Sequence, residues 1–225
     1  METLSGPSAM SGTMAPMTSP ETPAPRTLLF IGDSITDCGR REDPEELGHG
    51  YVRLLAEHFA AHEPTATLIN RGISGNKVAD LEARFTVDCL DHAPDLVTIY
   101  VGVNDAWHRF TRGEHVTDDS FEQGCRNLLE QLSARVPDAP VMMIVPFVAD
   151  VDEQAARVHS DLDGKVAIIR RLAAEHGHRI VDLEQVLATA YEAGHTPATL
   201  AEDGVHPTPA GHRLIADAWL DAAGR

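Results

Sequence analysis

The feature that most constrains the fold is a repeated local unit, a short β-rich apolar run that breaks into a glycine-containing turn. Leu28-Leu29-Phe30-Ile31 runs into Gly32-Asp33-Ser34. Ala66-Thr67-Leu68-Ile69-Asn70 runs into Arg71-Gly72-Ile73-Ser74-Gly75-Asn76, and Asp95 to Val101 runs into Gly102-Val103-Asn104-Asp105. Apolar runs of this length, bounded by turn residues, read as buried strands. Val141-Met142-Met143-Ile144-Val145 and Arg179-Ile180-Val181-Asp182 read as two more. Helical spacing of apolar residues marks Gly50–Phe59, Asn76–Phe85, residues 119–135 and 153–176, and a closing helix over Pro209–Ala223. Strand alternating with helix implies a parallel sheet covered by helices on both faces. No internal repeat is evident.

If the strands are parallel, Ser34, Gly72 and Asn104 all project from one edge of the sheet, the carboxyl edge where open α/β folds place their sites. Ser34 is then an exposed hydroxyl at a tight turn. Near the other end of the chain, Asp203 and His206 stand three residues apart before a proline. A turn there lets the carboxylate orient the imidazole, which supplies nucleophile, base and orienter for acyl transfer. Gly72 has no side chain to shield its N–H, and Asn104 carries an amide NH₂. Both suit an oxyanion hole. Gly-Asp-Ser alone is an ordinary turn tripeptide and Asp-x-x-His is common in a chain with 12 histidines. The weight lies in the order of the four signals.

Those four segments, Gly32-Asp33-Ser34-Ile35, Asn70-Arg71-Gly72, Gly102-Val103-Asn104-Asp105 and Asp203-Gly204-Val205-His206-Pro207, resemble the four blocks of the SGNH (GDSL-type) hydrolases. The resemblance runs from about Leu28 to the C-terminus. Ile35, where the eponymous motif has Leu, exchanges one apolar residue for another. What the resemblance implies is a flavodoxin-like three-layer α/β/α fold with five parallel strands in the order 2-1-3-4-5, and ester hydrolysis without metal or other cofactor. It implies Ser34 as nucleophile, His206 as base, Asp203 as its partner, and an oxyanion hole of Ser34 N–H, Gly72 N–H and the Asn104 side chain. Longer stretches, among them Phe30 to Arg40 and Gly102 to Trp107, are similar to small single-domain carbohydrate acetyl esterases of the acetylxylan esterase type.

Lys+Arg 18 against Asp+Glu 35 leaves a net charge of −17, which argues against nucleic acid or an anionic membrane as partner. Three cysteines, Cys38, Cys89 and Cys125, have no metal-ligand spacing and read as free thiols of a reducing compartment. Cys38 has no adjacent base in the sequence. Residues 1–26 are rich in Ser, Thr, Pro, Gly and Met, without an apolar run of signal-peptide length, and read as a disordered tail before a hydrolase domain over 27–225. No run approaches the roughly 20 apolar residues of a membrane-spanning helix, so the expected location is cytoplasmic.

The expected substrate is a small-molecule ester, an acetylated sugar first, because no long insertion separates the blocks. The segment after Asn104 reads as a polar and aromatic loop of about thirteen residues containing Trp107, His108, Arg109 and Phe110. A thioesterase or lysophospholipase, with an apolar acyl groove, is the alternative within the class. A non-catalytic carbohydrate-binding protein is the alternative outside it, and the oligomeric state, monomer or homo-oligomer, stays open. Asp33 and Trp107 are candidate substrate contacts, Trp107 as a stacking wall or as a half-buried core aromatic. Asp33 and Asp105 are each an alternative orienter, or hold turns through side-chain-to-backbone bonds. Arg40 is expected in a surface salt bridge, and His176 and His178 as favourable charges at a helix end.

Overall fold

The computed structural model describes residues 26–225. The expected tail over residues 1–26 therefore lies, except for Arg26, outside the described residues. Five strands, β1 (Thr27–Gly32), β2 (Thr67–Gly72), β3 (Leu96–Tyr100), β4 (Val141–Val145) and β5 (Arg179–Asp182), pair in parallel in the order β2-β1-β3-β4-β5. The helices are α1 (Ser34–Asp37), α2 (Tyr51–His62), α3 (Val78–Asp88), α4 (Val103–Thr111), α5 (Asp118–Arg135), α6 (Glu153–His176), α7 (Leu183–Glu192), α8 (Pro197–Leu200) and α9 (Pro209–Ala223). Helices α2 and α9 pack together on one face of the sheet, with α7 beside α9. Helices α3, α5 and α6 form the layer on the other.

The interior strand β1 shows why this sheet is two-sided. Leu28, Leu29, Phe30 and Ile31 are all buried, as a parallel strand sandwiched between helix layers demands. Phe30 meets Tyr51 of α2 edge-on and lies against Trp219 of α9. On the same face, the buried Trp219 indole N–H finds the Thr98 hydroxyl of β3 at 3.0 Å, so a polar atom enters the core without losing a partner. The edge strand β2 is only half-buried, and Arg179 at the start of β5 is exposed.

Local chemistry sets the helix ends. Asp152 and Thr208 cap α6 and α9 by accepting the N–H groups of Ala155 and Gly211. Pro209 opens α9, and Gly177 closes α6 with φ at 67°.

One sequence expectation is corrected here, and one helix had no expectation to correct. The segment after Asn104 is not a loop, because Val103–Thr111 forms α4, with Val103, Asn104, Asp105, Ala106 and His108 turned inward. Three of those inward residues, Asn104, Asp105 and His108, are polar, and Phe110 on the outer face is exposed, so the apolar spacing of a helix was not there to read. Helix α7 follows β5 with no turn between them, since Asp182 is at once the last strand residue and the cap that accepts the Gln185 N–H. A boundary without glycine or proline left no mark to read.

Candidate active site

The carboxyl edge of the sheet is where β1, β2 and β3 deliver their turns. Strand β1 ends on Gly32, where a Cβ would come within 2.4 Å of the Tyr100 carbonyl oxygen and 2.5 Å of Thr36 Oγ1. Only glycine lets the chain leave the sheet so close to β3. Asp33 then caps α1, its Oδ1 accepting the Ile35 N–H at 3.0 Å, and Ser34 becomes the first residue of that helix. First-turn N–H groups of a helix have no intrahelical acceptor, so the Ser34 N–H is available to an anion.

Ser34 Oγ lies 3.0 Å from His206 Nε2, and His206 Nδ1 lies 2.7 Å from Asp203 Oδ2. The other Asp203 oxygen accepts the backbone N–H groups of Val205 at 2.9 Å and His206 at 2.7 Å. One carboxylate thus folds its own loop and orients the ring. Partial burial of Asp203 works against its charge. The hydrogen bonds from the His206 ring and from the two backbone N–H groups outweigh it and hold the carboxyl below the usual range. Gly204, at φ 83°, fits only as glycine, because a Cβ would sit 2.7 Å from the Ala149 carbonyl. The Ala149 N–H in turn donates to the Gly204 carbonyl at 2.8 Å, fastening the loop to the segment after β4.

Asn104, in the first turn of α4, donates one amide hydrogen to the Asn76 carbonyl at 3.1 Å, leaving a second for a ligand. Gly72 does not fit its expected role. Its N–H donates to Asn70 Oδ1 at 2.8 Å and its carbonyl accepts from Arg40 Nε at 2.6 Å. It is glycine because a Cβ would lie 2.1 Å from the Asp37 nitrogen. Three residues on, Gly75 has φ 83° and open space around its α-carbon, and among the described residues its N–H has no protein acceptor. Asn76, whose carbonyl receives the Asn104 amide, is the next residue.

Other expectations resolve similarly. Asp33 is fully buried and its Oδ1 accepts the Ile35 N–H, so it caps a helix and does not face solvent. Asp105 is also buried and accepts the Val78 N–H, joining α3 to α4. Arg40 makes no surface salt bridge, since it is buried and spent on Gly72. Trp107 is half-buried against the core from α4. Cys38 does have a base beside it, with His212 Nε2 at 3.5 Å from Sγ. That imidazole is no activator: its Nδ1 takes the Tyr51 N–H, and burial pushes its pKa down to about 4 while pushing the Cys38 thiol up. His178 is held below its usual range by burial and by His176, so the stacked pair does not supply two charges at the end of α6.

Residues without a sequence signal brace the edge. Arg84 of α3 donates to the Gly32 and Arg71 carbonyls and to Asn76 Oδ1, tying the ends of β1 and β2 to the turn below Asn104. Asp37 Oδ2 accepts both the N–H and the hydroxyl of Ser74, linking α1 to the same turn. Lone charged residues on amphipathic helices look alike in sequence, and only their neighbours set these two apart.

Burial of Asp33 has a pH signature. Desolvation raises its pKa from 3.8 to about 7, against the Ile35 hydrogen bond and the attraction of His206, and Oδ2 has no partner. A group whose pKa is raised on folding favours the folded state at low pH, and that contribution is lost as pH climbs through about 7. Asp33→Asn keeps the cap acceptor and removes the buried charge. It is therefore expected to stabilise the protein at pH 8 by on the order of 3 kcal/mol, and to do little at pH 4. Urea unfolding at the two pH values measures this, and an equal effect at both would contradict it.

A hydroxyl, an imidazole and a carboxylate in hydrogen-bonded series at the edge of a parallel sheet is the arrangement of a serine hydrolase. The comparisons agree. The chain belongs to the GDSL-like lipase/acylhydrolase family, whose model matches residues 30–214, and it is an ester hydrolase of that family. It is 36% identical over 212 residues to an acetylxylan esterase of Geobacillus stearothermophilus, covering 88% of this chain and 93% of the relative. The crystal structure of Axe2, an acetylxylan esterase from that organism, superposes with a TM-score of 0.81 at 33% identity, covering 91% of this chain and 97% of the other. Solved variants of Axe2 described as catalytic mutants change a serine, an aspartate and a histidine, the last two three positions apart. LAE5, an alpha/beta hydrolase from the metagenome of Lake Arreo, Spain, matches with a TM-score of 0.76 at 35% identity over 89% of this chain and 96% of its own. Among the described residues, no helix is long and apolar enough to cross a membrane.

Proposed function

We propose that this enzyme removes acetyl groups from a carbohydrate alcohol through an acyl-enzyme on Ser34. The observation that carries the reading is the unbroken series Ser34–His206–Asp203, with contacts of 3.0 and 2.7 Å. His206 takes the Ser34 hydroxyl proton as the oxygen attacks the ester carbonyl, and Asp203 fixes the ring tautomer and stabilises the imidazolium. The developing oxyanion is met by the Ser34 N–H, the free Asn104 amide hydrogen and the Gly75 N–H. Gly75 takes the place expected of Gly72, whose N–H is already engaged. Protonated His206 then releases the alcohol, and a water activated by the same ring frees the acid.

The likeness to acetylxylan esterases over most of the chain supports acetyl as the acyl group and a sugar as the alcohol. A cytoplasmic location is supported by three cysteines that are all unpaired. The testing experiment is a steady-state comparison of acetyl, butyryl and octanoyl aryl esters alongside acetylated xylo-oligosaccharide. The expected result is acetyl preference with acetate released from the sugar. Octanoyl preference with an inert sugar would replace this substrate with a longer acyl chain on the same triad.

A further inference from the structure

A second cluster of chemistry-bearing side chains lies at the carboxyl ends of β4 and β5, built from residues the esterase site does not use. His159 and Asp163 are four apart on α6 and so share one face of it. Glu184 faces them from the first turn of α7. One ligand atom from each lies within 4.8 Å of the others, on the wall of a cavity of about 410 Å³ that Phe147, Asp150 and Tyr191 also line.

We propose that His159 Nε2 and the carboxylates of Asp163 and Glu184 form a binding site for a divalent transition metal, Zn²⁺ in the first instance. Three observations point this way. His159 Nε2 stands 3.5 Å from Glu184 Oε1, longer than the 2.7–3.2 Å of a good hydrogen bond. That spacing suits two ligands of one ion, since bonds of about 2.0–2.1 Å at a tetrahedral angle place donors roughly 3.3 Å apart. The supporting shell is also in place. Asp150 Oδ1 faces His159 Nδ1 at 2.9 Å, which holds a hydrogen on Nδ1 and turns the Nε2 lone pair toward the carboxylates. Arg170 donates to Glu184 Oε2 at 2.8 Å, leaving Oε1 free to ligate. Finally, one imidazole and two carboxylates suit zinc better than calcium or magnesium, which prefer all-oxygen shells.

The competing occupant is a proton. The Glu184 and Asp150 carboxylates outweigh partial burial and raise the His159 pKa to about 9, so the metal must displace that proton and bind less well in acid. The cluster is also joined to the catalytic loop. Asp150 adjoins Ala149, whose N–H holds the Gly204 carbonyl between Asp203 and Val205. A bound ion would therefore brace the backbone behind His206 without touching the ester.

The test is calorimetric titration of zinc chloride into chelator-treated full-length protein at pH 7.5, repeated with Asp163→Asn and Glu184→Gln. Asp163 is exposed and makes no hydrogen bond among the described residues, so Asp163→Asn keeps the fold, which circular dichroism checks. The expected result is one Zn²⁺ per chain, with each substitution weakening binding by about tenfold or more. Repeating the titration in two buffers of different ionisation enthalpy should show a proton released on binding. Zinc should raise the Tm of wild type and not that of Asp163→Asn. Rival ligands exist, because His58 and His62 stack at 4.3 Å and His176 faces His178. Zinc binding that survives both substitutions unchanged belongs to those pairs and overturns the proposal, as does the absence of saturable binding. Ser34→Ala should bind zinc as wild type does, so this outcome and that of the esterase assay are independent.

Discussion

Ser34→Ala and His206→Ala are each expected to lower kcat/KM for an aryl acetate by on the order of 10⁵-fold or more, with Asp203→Ala costing about one to two orders of magnitude less. Ser34 and His206 exchange the reacting proton across 3.0 Å, so either loss ends the covalent route. Asp203 does not touch the substrate. It sets the tautomer of the ring and, through two backbone N–H bonds, the path of the loop. Asp203→Asn separates those duties. Its carbonyl oxygen can still accept one set of hydrogen bonds, but an amide NH₂ facing Nδ1 favours the wrong tautomer. Asn is therefore expected to be no better than Ala. Steady-state kinetics on all four variants, with thermal unfolding beside them, reads the result. Equal losses at Ser34, His206 and Asp203 would mean that Asp203 acts chiefly by holding the loop together.

The second large effect is expected at Asn104, where substitution by Ala should lower kcat by about 10²–10³-fold and leave KM within a few-fold. Its free amide hydrogen meets charge that exists only in the transition state, so ground-state binding has little to lose. The contact with the Asn76 carbonyl at 3.1 Å holds that amide in place before substrate arrives. Asn104→Asp should be worse than Asn104→Ala, because it sets a carboxylate against the oxyanion. A rise in KM with kcat preserved would make Asn104 a substrate-binding residue and move the oxyanion hole elsewhere.

The glycine turns show where sequence reasoning reaches and where it stops. That Gly32, Gly72 and Gly102 end strands was legible, because a β-rich run followed by glycine has few other uses. Which glycine offers a free N–H was not. Gly72 and Gly75 look interchangeable in Gly72-Ile73-Ser74-Gly75, and the choice between them depends on Asn70, Arg40 and Asp37 crowding the first. Trp107 and its neighbours misled for a related reason. A helix nine residues long that buries the polar Asn104, Asp105 and His108 and exposes Phe110 lacks the apolar spacing by which a helix is read, and so resembles a loop. Arg84 and the cluster of His159, Asp163 and Glu184 were silent, since each is completed by residues of another element whose approach in space no spacing marks.

The sequence by itself determined the architecture and the order of the reacting groups. Apolar runs must be buried, parallel strands must be separated by helices, and turns at one edge bring Ser34, Asn104 and the Asp203–His206 loop together. These are consequences of local pattern, and local pattern survives in one dimension. The tertiary structure decided which donors are free, which carboxylates are buried caps and which carry charge. Each of those depends on what approaches an atom through space. A hydrogen bond already made by Gly72, or water excluded from Asp33, leaves no trace in the order of the residues.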